Sequence, residues 1–84
     1  MAAGWVILIE LEAGRGELEP LLFAVAVEDH REAMAAARQA PDVVQPRAAL
    51  QHRAPTIHDV RLVGSLSRRT IDRLGLAVGD VWRL

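Results

Sequence analysis

The sequence predicts a small two-layer α+β domain: an antiparallel-rich sheet with helices, in the order β-β-α-β-α-β. Three observations predict it. Two apolar runs, Trp5 to Leu11 and Leu21 to Val27, are joined by a short turn bearing Gly14 and Gly16. Strands that close in sequence pair antiparallel. An alanine-rich segment with an acidic start at Asp29 comes next and supplies a helix for one face of the sheet. After a proline-bearing stretch, Ile57 to Leu66 and Val81 to Leu84 read as further strands flanking a second short helix. At 84 residues the chain forms one domain, residues 1–84.

Each element has a local reason. Alternation puts Trp5, Ile7, Ile9 and Leu11 on one face of the first strand and Val6, Leu8, Glu10 and Glu12 on the other. In the second strand Leu21, Phe23, Val25 and Val27 oppose Leu22, Ala24, Ala26 and Glu28. Asp29 is placed to cap the first helix, with Glu32 three residues on. Ala33, Met34 and Ala37 form its inward stripe, beside Ala36 and Ala40, and Pro41 ends it. Residues 41–56 read as an irregular connection with a short helical turn at Arg47 to His52. In the third strand His58, Val60 and Leu62 point inward, and Asp59 and Arg61 outward. Ser67 caps the second helix, Ile71 and Leu74 face the core, and Gly75 stops it. A turn at Val78-Gly79-Asp80 leads to a last strand with Trp82 and Leu84 on one face.

Composition narrows the function classes. There is no cysteine, which removes thiolate metal sites and thiol catalysis. All ten basic residues are arginine, and lysine, asparagine and tyrosine are absent. This bias points to a G+C-rich bacterial genome, so the arginines are weaker evidence of phosphate binding than their number suggests. The apolar runs are far shorter than the roughly 20 residues of a membrane span. No basic, apolar leader precedes Trp5, and the expected setting is cytoplasmic, without membrane attachment. Residues 1–44 hold three arginines against eight acids, a balance of −5; residues 45–84 hold seven arginines against three acids, a balance of +4. Such polarity can orient self-association or guide a charged partner.

No motif carries a reaction. Gly14-Arg15-Gly16 lacks a phosphate loop's third glycine and following helix, and reads as a hairpin loop. Glu10, Glu12, Glu17 and Glu19 crowd that loop as a solvated acidic tip. The spacings of His30, His52 and His58 place no two ligands on one helical face. His58 and Asp59, adjacent on a strand, point to opposite faces and cannot serve Ser65 or Ser67 as a triad. The expectation is therefore a non-enzymatic domain with no metal and no cofactor.

Two binding surfaces stand out. Val6, Leu8, Leu22 and Ala24 form an apolar second face that one short helix cannot cover, and a homodimer buries it without disulfides. Arg68, Arg69 and Arg73, on the second helix, are a candidate anion or phosphate contact. The stretch Leu74-Gly75-Leu76-Ala77-Val78-Gly79-Asp80-Val81 resembles the GD-box of swapped-hairpin and double-psi barrel domains, which include the AbrB-type DNA-binding regulators. The resemblance covers about the last 25 residues and implies a tight glycine turn closed by aspartate before a strand. The leading expectation is a homodimeric regulatory or accessory domain that binds proteins. The alternative is a nucleic-acid-binding regulator using Arg61, Arg68, Arg69 and Arg73. Trp5, Phe23 and Trp82 are all expected in the core, which leaves no aromatic platform for single strands.

Overall fold

Strand β1 (Gly4–Glu12) is the centre of the molecule, because its odd-numbered face is wholly apolar. Strand β2 (Leu18–Val25) pairs antiparallel with it, setting Ile7 opposite Phe23 and Ile9 opposite Leu21. Strand β3 (Thr56–Leu66) runs antiparallel along the other side of β1. Strand β4 (Val81–Arg83) pairs with β2, and the sheet order is β3-β1-β2-β4. The computed structural model describes residues 2–12, 16–44 and 56–84. The expected helical turn at Arg47 to His52, and Gly14 and Arg15 of the hairpin loop, lie outside the described residues.

Helix α1 (His30–Arg38) covers the odd-numbered face. The Asp29 carboxylate accepts the backbone N–H groups of Arg31 at 2.8 Å and Glu32 at 3.2 Å, satisfying two donors that the first turn leaves free. Ala33 and Ala37 are fully buried against a cluster that includes Ile7, Ile9, Leu11, Leu21, Phe23 and Val25. Each large side chain there contributes about 1.5–3 kcal/mol by leaving water. The Trp5 indole donates to the Glu28 carbonyl at 2.8 Å and meets the edge of His30, fixing the start of α1 over β1.

Pro41 does more than stop α1. It opens a four-residue helix, α2 (Pro41–Val44), where the expected order has only an irregular connection. Proline is favoured at the first helical position, since its missing N–H would have no partner there. Val43 extends the core cluster from this turn.

Helix α3 (Arg68–Leu74) lies on the opposite side of the sheet. The Ser67 hydroxyl accepts the Thr70 N–H at 3.2 Å, and Gly75 ends the helix at φ 72°. Its buried residue is Ile71, which packs directly on Gly4: a methyl group at Gly4 would sit 2.7 Å from Ile71 Cδ1 and collide with the Val25 carbonyl. Gly4 shares the even-numbered face with Val6 and Leu8, so α3 roofs the Gly4 end of that face, where Ala26 is also buried. Leu74, expected in the core, is exposed because a seven-residue helix turns only one side to the sheet.

The last turn behaves as its residues dictate. The Asp80 carboxylate accepts the Ala77 N–H at 2.8 Å, and Gly79 takes φ 94°. Gly79 and Asp80 then bond to both backbone groups of Ala26, which docks β4 on the outer side of β2.

Candidate interaction surface

Beyond the reach of α3 the even-numbered face of the sheet carries an apolar strip, with Glu10 and Glu12 toward its hairpin end and Asp59 and Arg61 of β3 alongside. Val6 and Leu8 of β1 are half-buried, and Leu8 stands directly opposite Leu22. Leu22 is 40% exposed, Leu18 is 42% exposed, and Trp82 and Leu84 are each 56% exposed. Trp82 lies opposite Ala24, while the Leu84 N–H bonds the Leu22 carbonyl at 2.9 Å. All four residues singled out from the sequence, Val6, Leu8, Leu22 and Ala24, thus come together on one face. Ala24 is itself fully buried beneath its larger neighbours.

Sequence reasoning missed Leu18, Trp82 and Leu84. Trp82 was expected in the core, and its exposure follows from the sheet order, which makes β4 an edge strand only three residues long. The pairing of Trp82 with Leu84 on one face was readable; the face they join was not. Of the other aromatics, Phe23 is buried and Trp5 half-buried.

Each side of the sheet carries a feature that opposes strand addition. Ala26 and Leu22 turn their backbone groups toward β4, so by alternation Pro20 faces the same way. Because β4 stops short, Pro20 sits on an open edge, and the donor it lacks is the one an incoming strand would need. On the other side, β3 carries two irregularities opposite β1, which set His58 and Val63 out of register. His58, expected to point inward, is exposed for that reason. Leu62, also expected inward, is exposed at the margin of the face that α1 covers.

Between those irregularities one outward-facing donor of β3 is taken up by a side chain. Asp59 accepts its neighbour Val60's N–H at 2.9 Å and the Arg61 Nε–H at 2.6 Å. Arg61 also lies 3.8 Å from Glu10. The Arg61 hydrogen bond, reinforced by its positive charge and by the Val60 N–H, holds the Asp59 carboxyl below the usual aspartate range.

The remaining charged candidates are spread over the surface. Arg68, Arg69 and Arg73 are exposed on α3, and among the described residues no carboxylate pairs with them. Arg61 is committed to Asp59 and Glu10, so it does not join that group. Glu12, Glu17 and Glu19 are exposed at the hairpin end. His30 is exposed on α1 and His58 on β3, while His52 lies outside the described residues. Among the described residues no three His, Asp or Glu side chains converge as metal ligands, and no helix is long and apolar enough to cross a membrane. Comparison of the chain with protein-family models, curated proteins and solved structures returns no match.

Proposed function

We propose that this protein is a non-enzymatic module that works as a homodimer, joined through the even-numbered face of its sheet, in a regulatory or accessory role toward other proteins. The observation that carries this reading is the exposed row of Leu18, Leu22, Trp82 and Leu84 beside Val6 and Leu8. Edge-to-edge pairing is obstructed by Pro20 and by the Asp59–Val60 bond, which leaves the face for contact. With strands about 4.8 Å apart and rising about 3.3 Å per residue, the whole face would span on the order of 500 Å² in projection, of which α3 covers the Gly4 end and the three-residue β4 fills only part of one side.

The dimer reading is tested by tryptophan emission. In a Trp5→Phe background Trp82 is the only indole, and its emission should shift to the blue as the protein is concentrated from nanomolar to high micromolar. Emission and quencher access that stay constant over that range would remove the reading.

A second reading is supported by Arg68, Arg69 and Arg73, which no carboxylate among the described residues pairs with and whose guanidinium groups suit a phosphate backbone. It makes the module a nucleic-acid-binding regulator. A gel shift with duplex DNA at low salt tests it: binding that weakens as salt rises supports it, and no shift removes it.

A further inference from the structure

We infer that the two copies in this dimer pack antiparallel, each placing its acidic hairpin end against the arginine-bearing α3 of the other. This orientation rests on the dimer reading above and adds the partner's arrangement to it. The two charged groups lie at opposite ends of β1. Glu12 pairs with Leu18 on the even-numbered face at the hairpin end, with Glu17 next along the chain, while Glu19, opposite Leu11, is on the other face. Gly4 pairs with Leu66 at the other end, and the chain passes from there through Ser67 into Arg68 and Arg69. Eight residue steps of strand, on the order of 26 Å, separate them.

Shape and charge agree on the orientation. Ile71 seats α3 on Gly4, so the helix rises above the even-numbered face at that end and leaves the hairpin end low. Two copies brought together with like ends aligned would drive α3 against α3 and set Arg68, Arg69 and Arg73 beside their own equivalents. Turned end for end, each α3 meets the low acidic end of its partner, and the apolar rows of Leu22 and Trp82 face one another between them. A two-fold axis across the strands makes both end contacts equivalent, as a closed dimer requires.

The absence of cysteine allows the orientation to be measured directly. A spin label on Glu17→Cys marks the hairpin end, and the distance between labels in the dimer should exceed about 30 Å, against less than about 20 Å with like ends together. Arg69→Glu should raise the dissociation constant about fivefold through two equivalent contacts, and Glu12→Arg in the same chain should recover most of that loss. A dimer that Leu22→Glu disrupts, yet with labels closer than about 20 Å, overturns the antiparallel arrangement and leaves the dimer reading intact. A wild-type chain that stays monomeric overturns the dimer reading itself.

Discussion

The backbone N–H of Val60 is taken up, at 2.9 Å, by the side chain of the residue before it, Asp59. On an edge strand that donor would otherwise face water and be available to any passing strand. Arg61 completes the closure by holding the second carboxylate oxygen at 2.6 Å. The same short stretch of β3 therefore pairs with β1 on one side and refuses a partner on the other.

This closure sets a pH dependence. The folded state holds the Asp59 carboxyl below its ordinary range, first through the Arg61 hydrogen bond. A carboxyl lowered on folding stabilises above the unfolded value, and that contribution is lost as pH falls through the folded one. Asp29, lowered by the Glu32 and Arg31 N–H groups, adds to the loss over the same acidic window. Thermal unfolding followed from neutral to strongly acidic pH should show Asp59→Ala less sensitive to acid than wild type. The variant should also aggregate faster at neutral pH, because Val60 is left open.

Pro20 makes the corresponding prediction for the other side of the sheet. Pro20→Thr restores a donor on the open side of β2 without touching the pairing with β1. Turbidity on mild heating should rise while the unfolding free energy from denaturant titration stays within about 0.5 kcal/mol of wild type.

Gly4 is required by the close approach of α3. Gly4→Ala sets a methyl group 2.7 Å from Ile71 Cδ1 and against the Val25 carbonyl, so backbone as well as side chain must move. Overpacking of this kind costs about 1–3 kcal/mol, and urea unfolding should report a loss in that range.

The cap of α3 is a smaller, separate test. Ser67→Ala removes the acceptor for the Thr70 N–H and should lower stability by about 1 kcal/mol. Hydrogen exchange should show the loss concentrated at Arg69 to Ile71, with α1 unchanged.

What the sequence conveyed depended on how local the cause was. Asp29, Ser67, Gly75 and Asp80 act on residues two to four positions away, and each was readable before the fold was known. The alanine stripe of α1 was readable from helical period alone. Alternation placed Val6, Leu8, Leu22 and Ala24 on one face, as found. It could not show that Ala24 lies beneath its neighbours, because an alanine's burial is decided by the side chains around it. His58 was misplaced since a β-bulge shifts facing by one residue and has no signature in the pattern, whereas Leu62 faces as expected, opposite Ile7, and is exposed because it lies at the margin of the α1 cover. Trp82 was misplaced because sheet order is a long-range property, and it alone decides whether β4 is central or at the rim.

The mass of the intact chain in solution tests the central idea most directly. Light scattering on the wild-type protein at micromolar concentration should give about twice the 9.2 kDa of one chain, and Leu22→Glu should return it to a single chain's mass. A wild-type mass of one chain at that concentration would contradict a shared sheet face as the basis of function.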